Sequence, residues 1–304
     1  MIELESVCKS YQRVKAVDAL SFSVKEGEIF ALLGPNGAGK TTCIRMIMQI
    51  IQPDEGLIRF DDRMVYNGKV RRSRLGYLPE ERGLYPDTPV LDTLLYLGGL
   101  RHSDQKGLKQ NALEWLKRFG LLDRRKDKIS TLSKGNQQKV QFIASVLHRP
   151  DFAVLDEPFS GFDPINQEMI SDVIRELRNN GTTILLSAHQ MQLVERIADR
   201  ILLLDSGRER VCGTLQEIRA KTISNRKISV RFEEEVSIDK MKNLKGVRDS
   251  SNQEGNSWDV YPEEQFELNQ ILKQLSELAP ITDVNTSESG LHEIFLHSFN
   301  NKSN

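Results

Sequence analysis

The fold is decided by one segment, Ile29-Phe30-Ala31-Leu32-Leu33-Gly34-Pro35-Asn36-Gly37-Ala38-Gly39-Lys40-Thr41. Its first five residues are apolar and predict a buried strand, and a helix pattern follows over residues 40–51. Between them, residues 34–41 fit the spacing G-x-x-x-x-G-K-[ST]. Glycines let successive backbone N–H groups converge on phosphate oxygens, and the following helix adds the positive end of its dipole. The segment therefore predicts a strand, a phosphate-binding loop and a helix, in that order.

The polar residues of this loop have the chemistry that a nucleoside triphosphate needs. Lys40 is predicted to contact the β and γ phosphates, and Thr41 to ligate Mg²⁺. The other predicted nucleotide-binding positions of the loop are Gly34, Asn36, Gly37, Gly39 and Thr42. A glycine turn without a ligand is the alternative, and the strand before the loop and the helix pattern after it argue against that alternative.

A second apolar strand, residues 152–156, ends in two adjacent carboxylates, Asp156 and Glu157. In a parallel sheet with a phosphate loop, this strand end lies beside the loop. Asp156 is predicted to hold Mg²⁺ through water. Glu157 is predicted to accept a proton from, or to orient, the water that attacks the γ phosphate. The alternative interpretation is a pair of acids that only caps a helix.

Further apolar runs at residues 182–187 and 201–204 alternate with helix patterns, which is typical of an α/β fold with a parallel sheet covered on both faces.

Beyond about residue 221 the pattern changes. The order of elements there is strand, helix, strand, strand, helix and strand, which is the order of a ferredoxin-like α+β domain. The elements predicted there are strand 227–232, helix 237–244, strands near Val247 and at 258–261, helix 262–278, strand 281–284 and a last helix from Gly290.

Charge is distributed unevenly along the 304 residues, whose net charge is -1. Residues 222–304 hold 9 basic and 14 acidic residues, whereas residues 1–221 hold 33 basic and 29 acidic residues. This break predicts two domains, 1–221 and 222–304. The basic excess of the first is too mild for a nucleic-acid binder, so no nucleic-acid partner is expected.

Other patterns narrow the class of protein. Three cysteines far apart, and the pair His292 and His297 on different faces of a helix, predict no metal cage. No apolar run approaches the roughly 18 residues that span a bilayer, and the first residues lack a signal-peptide pattern. We therefore expect a cytoplasmic chain that does not cross a membrane unaided.

Beside the phosphate loop, several motifs resemble the ATP-binding cassette (ABC) family. The family signature LSGGQ is matched by Leu132-Ser133-Lys134-Gly135-Asn136, ahead of the strand that ends in Asp156. Asp163 resembles the family's D-loop residue, His189 its switch histidine and Tyr11 the aromatic residue that stacks on adenine. The resemblance covers residues 2–214 and implies a P-loop NTPase domain with a RecA-like core and a helical subdomain at about 88–150.

The resemblance also implies a head-to-tail dimer in which ATP lies between the phosphate loop of one subunit and the signature of the other. Ser133 and Gly135 would then bind the γ phosphate in trans, with the helix dipole behind them, while His189 contacts the same phosphate in cis. The sequence departs from the family at Lys134 and Asn136 of the signature, and at Glu80, which stands where the family has a glutamine.

With these departures, the sequence resembles a bacterial subgroup whose cassettes power exporters and carry a C-terminal extension. In this chain the extension would be residues 222–304, and its expected role is in dimerisation or regulation. The expected cofactors are ATP and Mg²⁺. The expected partners are a polytopic membrane permease and a second cassette, either identical or a paralogue, on the inner face of the cell membrane.

A soluble cassette ATPase that acts on ribosomes or DNA is the alternative, although the chain has neither two cassettes nor a long coiled-coil insert. A kinase or GTPase is disfavoured because no guanine-reading N-K-x-D run is present.

Overall fold

The structure is a computed structural model that describes residues 2–81, 83–101, 105–221, 226–263, 266–288, 290–291 and 293–295. The chain divides into two compact units, Met1–Cys212 and Gly213–Asn304. The sequence-based division after residue 221 differs from this one, because the structure places the helix that follows Gly213 with the second unit. His292 and His297 lie outside the described residues.

The first unit contains two main sheets and a group of helices. Its strands are β1 (Ile2–Tyr11), β2 (Val14–Val24), β3 (Ile29–Leu33), β4 (Glu55–Phe60), β5 (Val65–Tyr66), β6 (Lys69–Val70), β7 (Leu75–Leu78), β8 (Phe152–Asp156), β9 (Thr183–Ser187), β10 (Arg200–Asp205) and β11 (Arg208–Gly213). Its helices are α1 (Lys40–Ile47), α2 (Val90–Gly99), α3 (Gln105–Arg118), α4 (Lys134–Val146), α5 (Pro164–Asn179) and α6 (Met191–Ile197).

The larger sheet positions the site. Its strand order is β11-β10-β3-β9-β8-β7, and the pairs from β10 to β7 are parallel. Every residue of β3, β8 and β9 is buried, as expected for strands covered on both faces. Because β3 and β8 run in the same direction, the phosphate loop and the two carboxylates emerge at the same edge of the sheet. The predicted α/β fold is confirmed.

A second, antiparallel sheet of order β2-β1-β4 was not predicted. Its apolar face packs against α1 in one hydrophobic core, to which Ile2, Leu4, Ile44 and Ile47 contribute. Helices α2, α3 and α4 pack against one another and form the predicted helical region. Among the described residues, no helix combines the length and the apolar character that crossing a membrane requires.

The second unit contains α7 (Leu215–Lys221), β12 (Arg226–Phe232), α8 (Ile238–Lys242), β13 (Val247–Asn252), β14 (Ser257–Pro262), α9 (Leu268–Leu278) and β15 (Ile281–Glu288). The four strands form an antiparallel sheet of order β13-β14-β12-β15. This order places one strand between the two that flank each helix, which is the split βαβ arrangement of the predicted ferredoxin-like domain. Its core includes Trp258, Ile271 and Leu275.

Helices α1 and α9 depart furthest from their predicted bounds. Helix α1 ends at Ile47 and not at residue 51, because Gln49 adopts a left-handed backbone conformation with φ 55° that stops the helix. Helix α9 begins at Leu268, where Glu267 and Gln270 form a capping box, whereas Pro262 belongs to β14. The patterns predicted these helices correctly but not where they stop and start.

Candidate functional site

A cavity of about 310 Å³ lies at the edge of the parallel sheet where β3 and β8 end. It brings together nine residues that the sequence predicted for the site. They are Asn36, Gly37, Gly39, Lys40, Thr41, Thr42, Glu80, Asp156 and Glu157. Ala16 and Ala38 complete the lining. The predicted phosphate loop and the predicted acid pair therefore share one cavity.

Two positions of the loop must be glycine because the backbone of another segment lies too close to leave room for a side chain. At Gly39, where φ is 102°, a Cβ atom would lie 2.2 Å from the carbonyl oxygen of Ala16. At Gly34 a Cβ atom would lie 2.3 Å from the carbonyl oxygen of Leu204. Neither position has room for a side chain, and Gly39 also has a backbone conformation that other residues rarely adopt.

The ammonium group of Lys40 lies within the curve of the loop. Its Nζ donates hydrogen bonds to the carbonyl oxygens of Gly34 at 2.7 Å and Pro35 at 3.2 Å. Lys40 also begins helix α1, so the cation lies at the positive end of the helix dipole. A cation, a helix N-terminus and a glycine-rich backbone together make this loop a site for a polyphosphate.

The two carboxylates at the end of β8 point to different partners because the backbone turns between them. Glu157 has a left-handed conformation with φ 53°, which is uncommon for a residue with a side chain. Its backbone N–H donates to the Ser187 carbonyl at 3.2 Å and to the Ser187 hydroxyl at 3.1 Å. The Ser187 hydroxyl donates in turn to Oδ1 of Asp156. Ser187 therefore fixes the backbone of one acid and the side chain of the other.

Asp156 is 1% exposed, and burial raises the pKa of its carboxyl above the ordinary value. The hydrogen bond from Ser187 opposes this rise, whereas the charges of Glu80 and Glu157 add to it. Oδ2 of Asp156 is buried and accepts no hydrogen bond from any residue that the structure describes. A buried carboxylate oxygen of this kind, in a cavity shared with the Thr41 hydroxyl, fits a hard divalent cation such as Mg²⁺.

Glu157 forms a pair with His189. Oε2 of Glu157 lies 2.7 Å from Nδ1 of His189, and the two side chains are 12% and 62% exposed. A carboxylate that is held by an imidazole and lines the cavity is oriented for proton transfer to or from a water in that cavity. The sequence predicted both residues, and the structure adds that they are in contact.

The remaining predicted residues do not line the cavity. Tyr11 is 44% exposed, and its ring lies 5.9 Å from the ammonium of Lys9. Ser133 caps helix α4 by accepting a hydrogen bond from the Asn136 N–H at 3.3 Å. Asp163 caps helix α5 by accepting one from Asn166 at 2.8 Å, and this bond lowers the pKa of the Asp163 carboxyl.

The predicted signature residue Gly135 lies close to the loop before Asp163. A Cβ atom on Gly135 would lie 3.6 Å from the Gly161 carbonyl oxygen, with no other atom near it. Ser133 and Asp163 are exposed and Gly135 is half-buried, and none of the three lines the cavity of the same chain. That placement suits contacts with a second molecule.

Sequence reasoning missed two residues that support the site. Ser187 is fully buried and joins Asp156 to Glu157, and Gln141 of α4 contacts the loop that carries Glu80. Ser187 stands two positions before His189 at the end of a predicted strand, a position that could have drawn attention to it. No sequence signal marks Gln141, because its partners are backbone carbonyls.

Comparison with known proteins identifies the family. The ABC transporter family model matches residues 17–160. An uncharacterized ABC transporter ATP-binding protein of Alkalihalophilus pseudofirmus is 40% identical over 270 residues, which cover 87% of this chain and 97% of that protein. The chain belongs to the ABC transporter family. It is an ATP-binding subunit, and the family to which it belongs hydrolyses ATP.

Two further comparisons describe relatives of this ABC subunit. The Nod factor export ATP-binding protein I of Paraburkholderia xenovorans is 36% identical over 227 residues, which cover 73% of each chain. The dimeric structure of a bacterial ABC transporter cassette, MJ0796, aligns with a TM-score of 0.64 at 25% identity over 71% of this chain and 99% of that one. Residues 213–299 match the model of the C-terminal domain of DrrA1-3-like ATP-binding proteins. The predicted family and fold class are therefore confirmed for both units.

Proposed function

We propose that this ABC subunit hydrolyses ATP at the cavity described above and thereby powers export through a separate membrane-spanning subunit. One observation carries the direction of transport. The first unit is similar to a relative that is named as an export ATP-binding protein. The second unit matches the model of the DrrA-like C-terminal domain. In this proposal the chain lies on the inner face of the cell membrane, bound to its permease.

ATP binding is assigned to the phosphate loop. Lys40 and the N–H groups around Gly37 and Gly39 would hold the phosphates, with Gly34 giving the loop its close packing and Asn36 and Thr42 adding polar contacts. Tyr11 would stack on adenine from outside the cavity. The ring of Tyr11 is 44% exposed, which leaves it available for stacking.

Hydrolysis is assigned to Glu157. Its carboxylate lines the cavity and is held by His189, so it can accept the proton of a water aimed at the γ phosphate. His189 would also reach the γ phosphate by its exposed edge. Mg²⁺, when bound, would neutralise charge on the phosphate oxygens; Thr41 and Asp156 are the residues that would hold it, with Glu80 nearby.

A second cassette would complete the site. Ser133, Gly135 and Asp163 do not line the cavity of their own chain, and they lie at the N-termini of two helices that suit an anion or a partner loop. A head-to-tail pair would bring Ser133 and Gly135 of each subunit to the phosphates of the other. The dimeric bacterial cassette that aligns with this chain supports such a pairing.

The test is a trapping experiment in native membranes. A tagged Glu157→Gln chain retains the size of the side chain but not the carboxylate, so it should bind ATP and hydrolyse it at least about a hundredfold more slowly. The trapped chain is purified from gently solubilised membranes with ATP present, and its partners are identified by mass spectrometry. A polytopic membrane protein is the expected partner.

The matched control is Glu157→Gln combined with Lys40→Ala, which should bind no ATP and recover less of that partner. Recovery of ribosomal proteins or DNA without a membrane protein would refute the transport proposal and favour a soluble ABC ATPase. Import of a labelled substrate, instead of its export, by vesicles that contain the recovered complex would refute the proposed direction alone.

A further inference from the structure

A buried amide joins helix α4 to the loop that carries Glu80. Gln141 is 5% exposed, and its Nε2 donates one hydrogen bond to the Pro79 carbonyl at 3.0 Å and another to the Glu81 carbonyl at 3.0 Å. The two acceptors belong to the residues on either side of Glu80. Because both acceptors are oxygens, only the nitrogen end of the amide can face them, which fixes its orientation.

Glu80 lies between the two backbone carbonyls that Gln141 holds. The residue is exposed, lies in neither a helix nor a strand, and lines the cavity together with Asp156 and Glu157. An exposed carboxylate on an irregular loop keeps its place only if the backbone on both sides is held. Gln141 holds that backbone on both sides with a single side chain.

Helix α4 connects Gln141 to the signature segment. The helix begins after its cap Ser133, and Gln141 lies roughly two turns further along the same helix. A helix moves as a rigid element, so a displacement of its N-terminal end is transmitted to the side chain of Gln141. The contact therefore links two parts of the site that lie far apart in the sequence.

We propose that Gln141 is a positioning residue that holds Glu80 at the phosphate cavity and couples it to the helix that carries Ser133. The inference rests on the proposed function, because it gives Glu80 a part in ATP hydrolysis at this cavity. Gln141 contacts no reacting group, so its effect must pass through Glu80. A side chain that only fills the core would act independently of Glu80.

A double-mutant cycle on the full chain separates these two roles. Steady-state ATP hydrolysis is measured for the wild type, Gln141→Leu, Glu80→Ala and the double variant, with kcat and KM determined separately. Leu has a similar volume and no donor. We expect Gln141→Leu to lower kcat about tenfold, equivalent to 1.36 kcal/mol, with a smaller change in KM. In the Glu80→Ala background the same substitution should change kcat less than about twofold.

Asn111→Leu is the matched control, since Asn111 also donates an amide hydrogen bond to a backbone carbonyl, that of Leu147 at 2.7 Å, without lining the cavity. It should leave kcat within about twofold of the wild type. Gln141→Met, which keeps a flexible side chain without donors, repeats the test if Gln141→Leu does not fold.

Two results would overturn the inference while ATP hydrolysis by the wild type stands. One is an additive cycle, in which Gln141→Leu lowers kcat equally with and without Glu80. The other is an equal loss in Asn111→Leu, which would show a general effect of loosening the helices. A wild-type chain that binds ATP without hydrolysing it would instead refute the proposed function, and this inference with it.

Discussion

Replacing Ser187 with Ala removes the hydroxyl that connects both acidic residues of the site. In the wild type that hydroxyl donates to Oδ1 of Asp156 and accepts the Glu157 N–H at 3.1 Å. Ser187 is fully buried, so water does not replace it without rearrangement. The Glu157 N–H keeps its second acceptor, the Ser187 carbonyl at 3.2 Å. The main loss therefore falls on Asp156.

The size of the effect follows from the charge of Asp156. A hydrogen bond to a charged group contributes about 1.5–3 kcal/mol, so we expect Ser187→Ala to lower the free energy of unfolding by about 2 kcal/mol at neutral pH. For a unit of this size that is a fall in Tm of roughly 4–8 °C. Since the hydrogen bond of Ser187 lowers the pKa of Asp156, the substitution should also raise that pKa further.

The loss of stability in Ser187→Ala should depend on pH. Burial holds the folded-state pKa of Asp156 above its ordinary value, so Asp156 favours folding while it is protonated. That contribution is complete below the unfolded pKa and is lost as pH rises through the folded pKa. The penalty of Ser187→Ala should therefore be largest at neutral pH, where the carboxylate is charged, and smaller in acid.

Thermal unfolding of the wild type and Ser187→Ala, at neutral pH and at the lowest pH where the wild type stays folded, measures both effects. Ser171→Ala is the control, because Ser171 is also fully buried but donates to a neutral carbonyl, that of Gln167 at 2.9 Å. Its penalty should not change with pH over this range. An equal penalty for Ser187→Ala at both pH values would refute the assigned role of the hydroxyl.

Two further substitutions test the phosphate loop and the second unit. Gly39→Ala should abolish binding of a fluorescent ATP analogue and destabilise the first unit by about 1–3 kcal/mol, because its Cβ atom would meet the Ala16 carbonyl at a φ of 102°. Gly27→Ala, whose φ is 70° but whose Cβ atom would meet nothing, should leave that binding unchanged. Leu275→Ala should destabilise the second unit by about 2–5 kcal/mol and speed amide hydrogen exchange in β12. Equal acceleration in β3 of the first unit would contradict that prediction.

The sequence predicted the central strands well for a physical reason. β3 and β8 are buried on both faces, so every residue is apolar up to the loop or to Asp156, and each run ends where the strand ends. The split βαβ order of the second unit was predicted because its strands are separated by distinct helices and turns. In these regions local pattern and tertiary environment agree.

The antiparallel sheet of the first unit was missed because its strands do not alternate regularly. The register of β1 against β2 shifts between Leu4 and Val7 and again beyond it, and Ser6 has a positive φ of 46°. Each such bulge reverses which residues face the core, so the period of two that marks a half-buried strand is broken. Only the partner strands show which face of β1 is buried.

At the site, too, the sequence predicts which residues are present but not how the backbone arranges them. A motif names Asp156 and Glu157 as neighbours with different roles, but their separation into those roles is set by the backbone of Glu157, whose φ of 53° costs about 1–3 kcal/mol for a residue with a side chain. Two hydrogen bonds from the Glu157 N–H to Ser187 hold that conformation. It directs Asp156 into the buried side of the cavity and Glu157 toward His189. The difference in chemistry between two adjacent carboxylates therefore depends on Ser187, which lies on a different strand and belongs to no motif that the sequence displays.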